Sequence, residues 1–384
     1  MRHPRILLYS VVSLACVCAC DRHPLVTVAP AIRFRICDVD TKAVPMTTTG
    51  LEQSGEFFLD AFLDDEYYDF VADPNKEHPL TERHYINGGS WFSAGPNVTY
   101  SSTAGWTIGG APTWVAGDMM RFWCYAPISV NGTRTLVTGP VSKGETVKFS
   151  YAMPTPNGST DADICDDPIF AYNEKNYSKA AGDAIDLTFH HALAQVRFCV
   201  GYEDGSFDTG LKIKSVALVG IPASGTAVFN GPASLSQSGT DPIFSWSGQT
   251  GQVTFNQVLD AVFLKKGEVA VPAGWTEDKT GKTYTCDNTF FVVPHTLAPS
   301  VSSTPANSVD ALKIVFVDGA NEYPVTVAIP VHPANFDPSD SSAGKWLAGK
   351  YYTYKIGATI LGRTIKATVS LMDWNDFDDK LFGQ

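Results

Sequence analysis

The stretch Ile185–Val200, which reads IDLTFHHALAQVRFCV, constrains the fold more than any other part of this chain. Its apolar residues alternate with period two, which is typical of a strand with one buried face. The alternation changes parity near Leu193–Ala194, which indicates either a β-bulge or a strand that passes from one sheet to another. We therefore predict that this stretch closes one β domain and opens the next. The alternative is a short helix over His190–Phe198, which the β-branched and aromatic residues disfavour.

Composition points to an all-β protein with no nucleic-acid partner. The chain has 384 residues, enough for two domains that each bury a core. It contains 32 Gly, 24 Pro and 12% aromatic residues, and only 18% of its residues are charged. The net charge is −12, and the two arginines near the N-terminus are the only charges in the first twenty residues, so the remainder carries −14. A phosphate-binding surface is not expected on such a chain.

The N-terminus has the pattern of an export signal. Arg2 and Arg5 precede the apolar stretch Ile6–Val17, which is too short to span a bilayer as a helix but suits a signal peptide. The sequence then reads Val-Cys-Ala-Cys and resembles a bacterial lipobox, in which Cys20 would be acylated and become the first mature residue. Several acyl chains would anchor the protein in a membrane. Cys16 is a weaker lipidation candidate, and a plain secretory signal is the alternative.

Short apolar segments along the rest of the chain predict strands at the spacing of a β-sandwich. The predicted strands of the first half are Ala31–Cys37, Gly55–Leu63, Asp118–Pro127, Thr133–Val137 and Thr146–Tyr151. Those of the second half are Leu211–Val219, Ala227–Phe229, Val253–Phe255, Ala261–Leu264, Val269–Val271, Thr283–Val293, Leu312–Val317, Tyr323–Ile329, Tyr351–Ile356 and Thr364–Leu371. The passage from Asn97 to Trp114 and the segment Asn173–Asp183 are interpreted as connections between strands.

No motif predicts catalysis, a cofactor or a metal centre. The chain lacks the nucleophile elbow, the zinc-protease motif and both Gly-rich nucleotide loops. His190 and His191 are adjacent in a strand, so their rings should point to opposite faces, one packed and one exposed. The segment Asp161–Asp167 has four carboxylates that could bind Ca²⁺, but it lacks the EF-hand glycine and glutamate, so a solvated acidic loop is the preferred interpretation.

The tryptophans and cysteines leave alternatives open. Trp106 and Trp114 lie in Gly-rich passages, where exposed rings could stack on sugars, although roles in the core are favoured. After Cys20 the remaining cysteines are odd in number and not closely paired, which does not indicate a disulfide framework but leaves one disulfide open. They are Cys37, Cys124, Cys165, Cys199 and Cys286, and most lie in strand-like runs where a free thiol behaves as a small apolar side chain.

Three segments of the chain resemble the fimbrillin-like lipoproteins of Bacteroidetes, which are subunits and accessory proteins of type V pili. They read LTFHHALAQVRFCV, GDMMRFWCYAP and KWLAGKYYTYKI followed by TVSLMDW, and the resemblance extends loosely from Ala31 to about Trp374. It implies an all-β fold of two tandem transthyretin-like Greek-key β-sandwich domains after a lipoprotein signal peptide. The implied divisions are signal peptide 1–19, tether 20–30, N-terminal sandwich 31–183 and C-terminal sandwich 184–384. It further implies export to the outer membrane and the cell surface.

The resemblance also implies assembly by strand exchange. In stalk subunits of the family, a trypsin-like protease cuts after an arginine near the mature N-terminus and releases the first strand. A strand from a neighbouring subunit then fills the groove that is left. The arginines at suitable positions are Arg22, Arg33 and Arg35, although the last two also fit the exposed face of the first strand. The candidate donor is the last strand, with an apolar face of Ile365, Ala367, Val369 and Leu371; an ordinary edge strand is the alternative.

The sequence therefore predicts a non-enzymatic structural or adhesive component of cell-surface fimbriae. Its expected partners are other fimbrial subunits, the outer membrane through a lipid anchor, and ligands on host or bacterial surfaces. The tether after Cys20 is short, so an anchor or tip role is as compatible with the sequence as a stalk role. The alternative function is a monomeric surface lipoprotein that binds glycans through Trp106 and Trp114.

Overall fold

A computed structural model describes the chain in segments. The described residues are 32–39, 48–63, 97–109, 119–127, 129–130, 133–134, 137–138, 147–156, 158, 165–176, 184–201, 211–236, 242–263, 275–277, 283–286, 290–331, 344–361 and 364–371. Within these segments no helix has both the length and the apolar character needed to cross a membrane.

The described chain is built almost entirely of strands, which confirms the predicted all-β class. The strands up to the middle of the chain are β1 Arg33–Val39, β2 Glu56–Leu63, β3 Asn97–Ser101, β4 Gly105–Ile108, β5 Met119–Ala126, β6 Ser129–Val130, β7 Thr133–Arg134, β8 Val137–Thr138, β9 Val147–Ala152, β10 Ile169–Asn176 and β11 Ile185–His191. Those that follow are β12 Ala194–Gly201, β13 Lys212–Ile221, β14 Ser224–Phe229, β15 Phe244–Thr250, β16 Val253–Phe263, β17 Trp275–Glu277, β18 Thr283–Cys286, β19 Phe290–Val292, β20 His295–Thr296, β21 Ala311–Asp318, β22 Asn321–Ala328, β23 Lys345–Trp346, β24 Tyr351–Leu361 and β25 Thr364–Leu371. Two short helices, α1 Thr48–Ser54 and α2 Gly231–Leu235, and a 3₁₀ turn at Pro305–Asn307 accompany them.

Seven N-terminal strands close into a barrel in the order β1-β11-β10-β5-β2-β3-β4. Strand β1 completes the ring, because it pairs in parallel with β11 on one side and antiparallel with β4 on the other. Aromatic and aliphatic side chains fill the interior, among them Phe34, Phe57, Phe122 and Phe189. Strands β6 and β7 pair only with each other among the described residues, and β8 and β9 lie outside the ring. The number of Greek-key sandwich domains stays a prediction.

Three larger sheets surround a second core. Their orders are β17-β18-β12-β24-β25, with β19 also paired to β12, then β16-β13-β21-β22, and β15-β14-β9-β8. Strand β9 lies before residue 183 but pairs with β14, and β11 lies after residue 183 but pairs with β1 and β10. The predicted domain boundary at 183/184 stays a prediction. The barrel and the β15-β14-β9-β8 sheet each contain strands from before and after this position.

An aromatic layer joins the barrel to the sheet that contains β9. Along β5, Phe122 points into the barrel while Trp123 belongs to the second core, so both faces of this strand are buried. Burial on both faces explains why β5 is apolar at every position except Arg121 rather than alternating. Phe170 on β10 stacks on Phe149 of β9 at 4.6 Å between ring centroids, and Trp123 meets Phe229 edge to face at 5.7 Å.

The central stretch passes from one sheet to another, which confirms that interpretation of its parity change and excludes the helix. Strand β11 lies in the barrel, with Leu187 and Phe189 in the interior. The chain turns at Ala192–Leu193, and β12 then enters the second core with Val196 and Phe198. The apolar residues change parity because the two strands bury their side chains in different cores.

Candidate strand-exchange site

Strand β1 has one buried and one exposed face, as the sequence predicted. Ile32 and Phe34 are 2% and 5% exposed, whereas Arg33 and Arg35 point to solvent. The backbone pairs with β4 at Arg33 and Phe34, and with β11 from Phe34 to Val39. Both arginines are therefore reachable side chains on a strand whose backbone is engaged within the barrel.

Phe34 occupies a slot between two other strands of the barrel. Its ring meets Phe57 of β2 and Phe122 of β5 edge to face, at centroid distances of 5.8 and 5.7 Å. Such aromatic pairs stabilise a core beyond simple area burial. Removing a buried phenylalanine side chain costs about 3–5 kcal/mol in typical cores. Loss of this part of β1 would therefore leave an apolar slot that favours refilling.

A bidentate ion pair fastens the outer face of β1 to β11. Arg35 Nε and Nη2 donate to the two carboxylate oxygens of Asp186 at 2.6 and 2.8 Å. The Arg35 hydrogen bond lowers the pKa of Asp186, and the carboxylate raises the pKa of the Arg35 guanidinium. Cys37 lies beside this pair, and its partial burial and the Asp186 charge raise the pKa of its thiol.

Acidification is expected to loosen β1 from β11. Because the pKa of Asp186 is lower in the folded protein, the ion pair stabilises the fold fully above the unfolded-state pKa of about 3.9 and loses that contribution as the pH falls through the folded-state pKa. Hydrogen exchange of the β1 amides, corrected for intrinsic rates and followed from about pH 7 to about pH 3, should show this loss. Asp186→Asn should remove this part of the acid response.

Glu322→Gln supplies the matched control, because Glu322 forms a comparably exposed ion pair with Lys214 in a different sheet. This variant should leave the acid response of β1 as it is in the wild type. If β1 protection fell in parallel in the wild type and in Asp186→Asn, the ion pair would not be its cause.

The candidate donor strand lies at the edge of its own sheet. Among the described residues, β25 pairs only with β24, in register from Leu361↔Thr364 to Tyr354↔Leu371. Ala367 is buried, and Val369 and Leu371 are half-buried against the second core. The side chain of Ile365 lies outside the described part. The predicted bounds of this strand are confirmed, and in this structure its apolar face packs within its own chain.

The histidine pair and the acidic segment differ from their predicted environments. Both His190 and His191 are buried, so the prediction of one exposed ring is wrong. His191 Nδ1 lies 2.7 Å from Oδ2 of Asp167, which is itself buried and not part of a solvated loop. Both rings are covered because β11 ends where the barrel meets the second core. Residues 161–164 lie outside the described part, so a Ca²⁺ site there stays a hypothesis.

The sugar-stacking hypothesis for Trp106 is wrong. This side chain is 4% exposed and packs in the barrel against Phe57 and Tyr100, each at a centroid distance of 5.0 Å. The Gly-rich passage that was interpreted as a loop contains strands β3 and β4, which bury the ring. Trp114 lies outside the described residues.

None of the four cysteines whose side chains the structure describes forms a disulfide. Cys124 and Cys199 are buried in strands, as expected of small apolar side chains, and Cys165 is half-buried. Cys37 is exposed on the arginine face of β1, unlike that expectation, because its parity matches Arg33 and Arg35. The side chain of Cys286, the signal segment 1–19, Cys20, the tether 20–30 and Arg22 lie outside the described residues.

Comparison with known proteins identifies the family. Residues 81–374 match the profile of the fimbrillin-like family, and because this is more than half of the chain, the protein belongs to that family. No curated protein matches the chain.

Solved structures that align with the chain have low sequence identity. A candidate cell adhesion protein from Bacteroides uniformis aligns at 13% identity and a TM-score of 0.41, over 90% of this chain and 98% of that one. A candidate cell adhesion protein from Bacteroides ovatus aligns at 12% and 0.41, over 83% and 87%. A fimbrial assembly protein from Parabacteroides distasonis aligns at 13% and 0.35, over 87% and 95%. Similarity at this level carries no argument about function.

Proposed function

We propose that this protein is a structural component of cell-surface fimbriae that joins other subunits by exchange of β-strands. Membership of the fimbrillin-like family supports a fimbrial or adhesin-like role rather than an enzymatic one. The observation that carries the strand-exchange step is the slot of Phe34 between Phe57 and Phe122. A lipid on Cys20 and a location at the outer surface belong to the same proposal and rest on the sequence pattern.

Proteolysis within β1 would create the acceptor groove. A cut after Arg35 separates Ile32 and Phe34 from the rest of the chain, and both are buried in the barrel. A cut after Arg22 leaves β1 whole. Because the peptide bonds after Arg33 and Arg35 lie in a paired strand, a protease can bind them only when β1 separates from its neighbours.

An incoming strand would then pair with the strands that β1 leaves. Backbone hydrogen bonds to β11 and β4 supply affinity, and the Phe34 slot selects a strand with a large apolar side chain at the matching position. The proposed donor is β25 of a neighbouring subunit. Since β25 pairs with β24 along eight residue pairs, donation requires that this hairpin opens first.

The test is heat-dependent SDS–PAGE of native surface extracts from cells that express the protein. The wild type should give a ladder of multimers in unheated samples that collapses to one band on boiling. A variant that combines Arg22→Ala, Arg33→Ala and Arg35→Ala should give monomer at every temperature, because no arginine remains for processing. Asp186→Asn is the control for loss of the Arg35 ion pair alone, and it should keep the ladder.

Two outcomes would contradict the proposal. Monomer alone in unheated wild-type samples would exclude a polymerising role. A ladder of unchanged intensity in the triple arginine variant would show that assembly does not depend on processing at these arginines.

A further inference from the structure

A cavity of about 530 Å³ lies beside the edge strand β15 and the short β20–β23 pair, far in sequence from β1. Its volume falls within the range of about 300–1,000 Å³ found for small-molecule sites. We call it the Trp246 cavity, and the residues that matter to its chemistry are Phe244, Trp246, Gln249, His295, Thr296 and Trp346.

A buried, hydrogen-bonded His–Asp pair forms the floor of the Trp246 cavity. His295 Nε2 lies 2.9 Å from Oδ1 of Asp310, and His295 Nδ1 lies 2.8 Å from the carbonyl oxygen of Val293. A carbonyl only accepts, so Nδ1 carries an N–H, and a proton shared between Nε2 and Oδ1 of Asp310 completes the second contact. The ring of Trp346 stands edge-on to His295 at 5.1 Å, and its Nε1 donates to the hydroxyl of Tyr354. These bonds hold the floor rigidly.

Asp310 adopts a backbone conformation that costs energy. Its φ of 44° is in the left-handed region, which non-glycine residues seldom occupy. The second carboxylate oxygen accepts a hydrogen bond from the backbone N–H of Ala298 at 2.7 Å, which anchors the residue in this conformation. Strained residues held by surrounding bonds cluster at ligand sites, so the floor has the character of a built site.

Aromatic rings line the side of the Trp246 cavity. Phe244 and Trp246 share one face of β15, and both are half-buried. Trp246 is fixed by a hydrogen bond from Nε1 to the carbonyl oxygen of Ala192 at 2.9 Å and by edge-to-face contact with Phe149 at 5.6 Å. A ring that is already immobilised loses little entropy when a ligand packs on it.

Polar side chains at the mouth supply donors and acceptors. Gln249 Nε2 donates to the carbonyl oxygen of Pro294, which leaves Oε1 as an acceptor without a partner among the described residues. Thr296 is exposed, and its hydroxyl has no hydrogen-bond partner in the described part of the chain. Lys345 lies opposite Thr296 across the β20–β23 pair. It is the only lysine or arginine among the described lining residues, too few for a polyphosphate ligand.

We propose that the Trp246 cavity binds a pyranose ring of a carbohydrate. A pyranose combines an apolar C–H face, which fits Trp246 and Phe244, with hydroxyls that match Gln249 and Thr296. Gln249 Oε1 and the Thr296 hydroxyl disfavour a purely apolar ligand, because hydrocarbon would bury these polar groups without hydrogen-bond partners. The inference goes beyond strand exchange and does not depend on it.

Saturation-transfer NMR on the full chain tests the inference with the methyl pyranosides of glucose, galactose, mannose and N-acetylglucosamine. At about 10 mM glycoside, the wild type should transfer saturation to the ring protons of at least one of them. Gln252 is exposed and lines the cavity at its mouth. Gln252→Trp should fill this mouth and weaken binding roughly tenfold or more. Asn321→Trp, at the exposed first residue of β22, is the matched control and should bind as the wild type does.

Urea unfolding midpoints of both variants should equal that of the wild type, so that a loss of signal reports on the cavity. Absence of transfer to all four glycosides in the wild type would overturn the inference. Equal transfer in the wild type and in Gln252→Trp would also overturn it, because the sugars would then bind elsewhere.

Discussion

Phe189→Asp should abolish folding of the barrel. Phe189 is fully buried in the interior and meets Phe57 edge to face at 5.5 Å. The substitution loses about 3–5 kcal/mol of packing and adds the cost of a buried carboxylate, which is several kcal/mol more. Together these approach the total stability of about 5–15 kcal/mol of a typical domain. Far-UV circular dichroism and urea unfolding of the purified variant should show a chain without a cooperative transition.

Two further variants separate the causes. Phe189→Leu keeps an apolar side chain and should lower the free energy of unfolding by only about 1–2 kcal/mol. Thr188→Asp places a carboxylate on the neighbouring, half-buried position and should be tolerated better than Phe189→Asp. A Phe189→Asp protein with the wild-type unfolding midpoint would mean that this position does not lie in a core.

Gly220→Ala should lower the free energy of unfolding by about 3 kcal/mol or more. Gly220 lies in β13 with a φ of +70°, where an L side chain is strained. A Cβ atom there would lie 2.1 Å from the backbone oxygen of Ser308 and 2.8 Å from Cα of Val309. Backbone atoms cannot move aside as a flexible side chain can, so the strand and the Ser308 segment would have to separate. Urea unfolding measures the change.

Gly319→Ala isolates the conformational part of that effect. Gly319 also has a positive φ, +60°, but a Cβ atom there would have no neighbour within 4 Å. We expect a loss of about 1–2 kcal/mol, from the left-handed backbone alone. Equal losses in Gly220→Ala and Gly319→Ala would show that the close approach to Ser308 contributes nothing.

Strands with one buried face were predictable because their side chains alternate. Thr364–Leu371 was predicted with the bounds that the structure has, and Ala311–Asp318 and Arg33–Val39 differ from prediction by only a few residues at their ends. β16 was predicted as two strands but is one, Val253–Phe263. The polar residues Asn256 and Gln257 interrupt the apolar pattern, yet pairing with β13 keeps the backbone extended.

Strands whose stability comes from neighbours were missed. The Gly-, Ser- and Thr-rich segments of β3 and β4 have weak strand character alone, but they pair with each other and with β2 and β1 to close the barrel. The second half of β10 is polar from Asn173 to Asn176, and it remains a strand because each residue pairs with β5. In both cases, partners far away in the sequence supply the hydrogen bonds.

The two candidate sites also differ in how far the sequence predicted them. The alternation of Ile32, Arg33, Phe34 and Arg35 predicted which face of β1 is exposed, whereas the partner of Arg35, Asp186, lies on a strand 151 residues further along the chain. The Trp246 cavity gave no sequence signal, because Trp246 lies in β15, His295 in β20 and Asp310 just before β21, and no motif links them. The positive φ of Asp310 is a feature of the cavity floor, and it is a property of the folded backbone that the sequence does not show.

By itself, the sequence determined that this chain is all-β and that its central stretch changes buried face near Leu193–Ala194, because side-chain periodicity is a local property of the backbone. In residues 185–200 the apolar positions change parity in the sequence, and in the structure each half of the stretch buries its side chains in a different core. Only the tertiary structure decided that the first strands close into a barrel, that His190 and His191 are both buried, and that Trp106 is a core residue. Those outcomes depend on which distant strands become neighbours, and burial on both faces of a strand leaves no alternation from which to predict them.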